Sequence, residues 1–133
     1  MSEHLNNQTF LQIIEALNRN KPDELDQGMS ANLVDHNPIP GQAPALSGFK
    51  QWMNMARSAF PDLHATIEDV MTDDDKVVGR VTWYGTQQGS FAAIHIVRFE
   101  NRKAVEWWGI ADLPGAIQQL QNVSGKSHPE LGY

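Results

Sequence analysis

The chain contains no cysteine, which excludes disulfide frameworks, thiolate zinc sites and cysteine nucleophiles together. Basic residues are few: ten Lys and Arg stand against sixteen Asp and Glu, and nowhere do they gather into a patch. The formal charge of -6 therefore argues against a nucleic-acid partner. No apolar run approaches the length of a membrane span, and the start Met1-Ser2-Glu3-His4 lacks the basic-then-apolar pattern of a secretory signal, so the chain reads as cytoplasmic with no membrane partner. No two histidines stand at H-x-H or H-x-x-x-H spacing, and Asp73-Asp74-Asp75 lacks the alternating ligands and distal Glu of a calcium loop. No Ser sits in a nucleophile elbow, and no glycine pattern follows a strand to cradle phosphate. Neither a metal nor a cofactor is expected.

What the chain does have is apolar material, 41% of 133 residues, enough for the core of one domain spanning 1–133, with the packed part at about 6–120. Phe10, Ile13, Ile14 and Leu17 fall at helical spacing and predict a first helix from Asn6 to Asn18. Pro22 at a first helical position, with Asp23 and Glu24 behind it, predicts a short second helix ending at Gly28. Three prolines and two glycines between Asp35 and Gly48 make a loop. Ser47 is the expected N-cap of a third helix with Phe49, Trp52, Met53, Ala56 and Phe60 on its apolar face, stopped by Pro61.

From His64 onward the pattern becomes that of strands: His64 to Thr72, Lys76 to Thr86, Phe91 to Glu100 and Lys103 to Ala111. Connections this short demand antiparallel neighbours. A last helical turn is expected at Leu113 to Leu120 and a loose tail from Gln121. Helices first and a meander afterwards predict an α+β fold, with helices on one face of a curved antiparallel sheet enclosing a pocket. The other face is left for a partner subunit, so a homodimer is expected.

Phe91, Ala93, His95, Val97 and Phe99 share one face of the third of these strands, which turns His95 inward. On the last strand either Trp107 or Trp108 could face the pocket, because Gly109 could bulge and shift the alternation. Asp112, at the end of this doubly aromatic strand, is the leading candidate for a proton shuttle, since aromatic walls raise a carboxyl pKa. The same Asp112 would also N-cap a helix begun by Leu113-Pro114. His36 stands where Leu33-Val34 gives way to the loop, and either hangs into the mouth of the pocket or bonds backbone in a turn. Phe10, Ile14, Trp52, Phe60, Phe99 and Trp108 are the expected lining for an apolar ligand.

Leu33-Val34-Asp35-His36-Asn37-Pro38, Gly48, Ala59-Phe60-Pro61-Asp62-Leu63, Asp75-Lys76-Val77-Val78, Thr82-Trp83-Tyr84-Gly85-Thr86, and Trp108 four residues before Asp112 together resemble the SnoaL-like polyketide cyclases, over about Phe10 to Leu120. The resemblance implies the nuclear transport factor 2-like cone. It also implies an Asp late in the last strand, here Asp112, as general acid and base for an intramolecular aldol closure without metal or cofactor. Family members often carry His where this chain has Gln87 and Trp107, and many have a longer insertion where this chain passes at once from Gly85 to Phe91.

The expected function is thus a cofactor-independent cyclase or related acid-base enzyme acting on a small apolar carbonyl compound, with Asp112 as shuttle and His36 or His95 to polarise the carbonyl. The missing histidines favour the alternative, a non-catalytic binding or accessory dimer of the same fold. An isomerase-like or epoxide-hydrolase-like member is a further alternative; the latter needs an Asp-Arg-Asp cluster, and Arg80 and Arg98 fall on the outward face.

Overall fold

The computed structural model describes residues 2–85 and 89–112. Helix α1, Ser2–Asn18, buries Phe10, Ile13, Ile14 and Leu17 along one stripe. A single 3-10 turn at Pro22–Glu24 leads into the short α2, Leu25–Gly28, with Pro22 at a position whose N–H has no helical partner anyway. Strand β1, Met29–Asp35, and helix α3, Ala45–Ala59, come next. The rest is β2, His64–Asp73; β3, Lys76–Gly85; β4, Gly89–Glu100; and β5, Lys103–Ala111. The sheet runs in the order β1-β5-β4-β3-β2, and α1 and α3 cover its inner face.

Two expectations are corrected. The sheet has five strands, not four, and is mixed, because β1 pairs parallel with β5. Only Met29 and Leu33 of β1 are buried, four residues apart, which leaves no period-two signal to read. Ser47 does not cap α3: the helix begins at Ala45 behind an extended Pro44, and the Ser47 hydroxyl donates to the Pro44 carbonyl at 3.1 Å. The expected turn at Leu113 to Leu120 and the tail from Gln121 lie outside the described residues, as do Thr86 and Gln87.

The choice between Trp107 and Trp108 is made by a bulge, and not at Gly109. Phe99 pairs with Ala104 and Arg98 with Glu106, so Val105 is the extra residue. Ala104 and Trp107 can then both face inward, where each is buried, while Glu106, Trp108 and Ile110 turn outward. A second bulge at Glu68 of β2 likewise brings Ile67 and Val70 to the core side. Helix α1 approaches the sheet over Gly79: a Cβ there would stand 2.5 Å from the Phe10 ring. Phe10 is completely buried by this contact.

Candidate functional site

His95 lies mid-sheet with a glycine on each neighbouring strand, Gly79 of β3 and Gly109 of β5. The Phe10 ring packs over Gly79, and two tryptophans close around the imidazole. Trp83 places its indole Nε1 3.3 Å from His95 Nε2, and Trp107 places its own 3.2 Å from Nδ1. The Trp83 ring meets the imidazole edge-on, and that of Trp107 is tilted to it at 5.3 Å between centroids. Burial among these rings lowers the His95 pKa to about 4 against the opposing pull of the Asp35 carboxylate, so the imidazole is neutral at pH 7.

Asp35 reaches the same face because the parallel register sets it opposite Trp107. One of its oxygens accepts the Asn37 backbone N–H at 3.1 Å, an Asx turn, and the other accepts Gln42 Nε2 at 2.9 Å. The loop after β1 thus holds the carboxylate in a set orientation. Asn37 Oδ1 in turn accepts the Gly109 N–H at 3.1 Å, tying the loop to β5 beside His95. A neutral imidazole, a fixed carboxylate and two indole N–H groups on one partly enclosed face can polarise an oxygen and move a proton.

The structure does not bring the three expected catalytic residues together. One residue beyond Asp35 the alternation reverses, and His36 stands on the outer face, stacked on Trp108 with centroids 4.4 Å apart and planes at 4°. Its Nε2 lies 2.7 Å from Glu106, whose other oxygen bonds Arg98 Nε. Those bonds, that from Arg98 first, hold the Glu106 carboxyl below the usual carboxylate range. Asp112 is exposed just past β5, five residues beyond the pair of Asp35 and Trp107, and donates its backbone N–H to the Ala92 carbonyl.

Of the expected lining, Phe10, Ile14 and Phe99 are packed core at 0–3% exposure, Trp52 and Phe60 are partly buried at its margin, and Trp108 is on the far face. Arg80 pairs with Asp69 on the outer face, so with Arg98 it stands away from His95. Among the described residues no group of three or more His, Asp or Glu could hold a metal ion, and no helix is long and apolar enough to cross a membrane.

The sequence profile described as SnoaL-like polyketide cyclase matches residues 7–120. The chain belongs to the SnoaL-like polyketide cyclase family. Its architecture of helices on one face of a sheet is the nuclear transport factor 2-like fold of that family's structural neighbours. It is similar to a proposed polyketide cyclase from Bacillus cereus, 26% identical with a TM-score of 0.82, over 87% of this chain and 80% of that one. It is similar in fold to IdmH, a proposed polyketide cyclase from Streptomyces antibioticus, at 22% identity and TM-score 0.78, over 86% and 97% of the two chains. AclR, a proposed hydroxylase from Streptomyces galilaeus, is another such neighbour at 21% identity and TM-score 0.75, over 90% and 98%. None of the curated protein sequences compared matches.

For this SnoaL-like chain, sequence reasoning did not name Asp35 or Trp83 among the candidates for the site and left Trp107 and Trp108 open as alternatives. Trp83 was findable: Val77, Gly79, Val81 and Trp83 alternate cleanly to the inner face. Asp35 was not, since it depends on the parallel pairing of β1, and the choice of Trp107 over Trp108 depends on the bulge at Val105.

Proposed function

We propose that the inner face around His95 is the reacting site of a cofactor-independent enzyme performing aldol-type ring closure on a small apolar carbonyl compound. The observation that carries this is the neutral His95 clamped between two indole N–H groups, within the field of Asp35. Asp35 takes a proton from the carbon next to a carbonyl, leaving an enolate. The enolate carbon bonds to a second carbonyl carbon of the same molecule, whose oxygen takes up the electron pair and then the proton held on Asp35. His95 polarises the enolate oxygen as a hydrogen-bond donor. Geometry favours Asp35 over Asp112 for the shuttle, because Asp35 shares the face of His95. Asp112 remains the second reading, supported by its place within the matched span at the end of β5.

The test is turnover of aromatic polyketide-like diketones by the full chain and by Asp35→Asn, His95→Gln and Asp112→Asn. General acid-base catalysis contributes about a hundredfold to ten-thousandfold, so Asp35→Asn should lose at least that lower factor while retaining ligand binding. The competing proposal of a non-catalytic binding domain draws on the solid packing of Phe10, Ile14 and Phe99. Ligand binding without turnover in any such assay would favour it. A second copy is the proposed occupant of the outer face, where Val34, Ile94 and Ile110 are 49%, 46% and 65% exposed and a two-fold contact would cover them.

A further inference from the structure

Both ring nitrogens of His95 face donors, and a neutral imidazole has only one lone pair to offer. It can accept from one indole. At the other nitrogen N–H meets N–H, and both groups require an acceptor from elsewhere. Gly109 lies beside Nδ1. A Cβ built on Gly109 would lie 3.2 Å from His95 Nδ1 and 3.5 Å from Trp107 Nε1. Because Gly109 has no side chain, the place beyond its Cα faces both nitrogens, and an oxygen standing there at contact distance from the Cα, outside the Cβ position itself, meets both. Gly109 is partly exposed, and its N–H is already committed to Asn37, so the floor of this place is fixed. Phe49 meets the Trp107 ring edge-on at 5.1 Å and Phe10 stacks on it at 6.2 Å, which holds the indole in position.

We propose that His95 Nδ1–H and Trp107 Nε1–H together bind one oxygen atom over Gly109, that of a ketone, enolate or phenolate carried on an apolar ring. Trp83 is the positioning residue: its indole N–H donates to His95 Nε2 and so fixes the proton on Nδ1. Two fixed donors on one oxygen favour the oxyanion over the neutral carbonyl, which is the charge change that enolate formation requires. The inference rests on the reading of the inner face as the reacting site, and it assigns the oxygen of the ligand to named atoms.

Fluorine NMR titration with pentafluorophenolate, ionised at neutral pH, tests it against pentafluorotoluene, which has a similar ring and no oxygen. The full chain should bind the phenolate more tightly. Trp107→Phe and Gly109→Ala should each weaken the phenolate about tenfold or more, as loss of a hydrogen bond to a charged group does, and leave the toluene unchanged. Imidazole nitrogen NMR should show His95 protonated on Nδ1 in the full chain and lose that preference in Trp83→Phe. Unaltered phenolate binding by Gly109→Ala, or a native His95 protonated on Nε2, overturns the proposal; the second measurement needs no variant to fold. If Asp35→Asn abolishes turnover while Gly109→Ala binds phenolate normally, the acid-base reading stands and the oxygen site falls. The oxygen site stands and the acid-base reading falls if phenolate binding shows the predicted pattern and no carbonyl compound is converted.

Discussion

The indole of Trp107 and the imidazole of His95 meet at 3.2 Å between Nε1 and Nδ1, on the face of the sheet opposite to the one where Trp108 stacks on His36. Adjacent tryptophans thus serve different surfaces. Trp107 belongs to the interior and to the candidate site, and Trp108 to an outer cluster with His36, Glu106 and Arg98. The bulge at Val105 produces this division, and it separates the two histidines that sequence alone would group together.

The neutrality of His95 makes a prediction for stability against pH. The folded pKa is about 4 and the unfolded value about 6.5, so below pH 6.5 the unfolded chain binds a proton that the native chain refuses. Stability should therefore fall as pH falls from about 6.5 to about 4, by up to roughly 3 kcal/mol, and this contribution should level off below the folded pKa. Glu106 acts in a different window, losing its stabilising bonds only as pH falls through its depressed pKa. Urea unfolding at a series of pH values should show the upper part of the acid loss vanish in His95→Phe. A His95→Phe curve parallel to the native one would rule the prediction out.

Gly79 faces the Phe10 ring so closely that a methyl group has no room. Gly79→Ala should displace α1 or force Phe10 off its rotamer, at a cost of about 1–3 kcal/mol. Phe10→Ala should cost about 3–5 kcal/mol through the cavity it leaves. In the double variant Gly79→Ala/Phe10→Ala the two effects should be less than additive, because the new methyl enters the space vacated by the ring. Chemical denaturation of the three variants measures this, and strict additivity would show that the contact is not shared.

Much of this fold was legible in the sequence, and the reasons differ by element. Helix α1 was readable because Phe10, Ile13, Ile14 and Leu17 keep helical spacing, and the inward turn of His95 because Phe91 to Phe99 alternate without interruption. Strand β1 was hidden, since its pairing partner lies in β5 at the far end of the described chain and only two of its side chains are buried. The site was legible only through His95. Asp35 and His36 are neighbours whose faces are decided by that hidden strand, and the sequence favoured His36 because an imidazole before a loop suggests chemistry more readily than an Asx-turn carboxylate.

Asp35 and Asp112 make opposite demands on mutagenesis. Asp35→Asn should abolish turnover, whereas Asp112→Asn should leave it nearly intact. Stability should also change little in Asp112→Asn if the residue serves as an N-cap, since Asn caps a helix as well as Asp does. Steady-state kinetics of the two variants separates them. Loss of kcat in Asp112→Asn with full activity in Asp35→Asn would restore Asp112 as the shuttle.

On the outer face, Ile94 pairs across the sheet with Ile110, and both are exposed. A second copy placed there should be expelled by a charge. Sedimentation equilibrium should find the native chain dimeric at micromolar concentration and Ile110→Glu monomeric, with unchanged circular dichroism. A native chain that remains monomeric at that concentration would remove the proposed two-fold contact.

Chemical-shift mapping with 2-acetylnaphthalene, an apolar aromatic ketone, tests the placement of the reacting site most directly. Titrated into the labelled chain, it should move the indole N–H resonances of Trp83 and Trp107, the imidazole of His95 and the backbone amides of Asp35 and Gly109. Trp108 and His36 should stay where they are. Shifts confined to Trp108, His36 and Asp112, with His95 and Trp107 unmoved, would place the ligand on the other face of the sheet and contradict the site described for this chain.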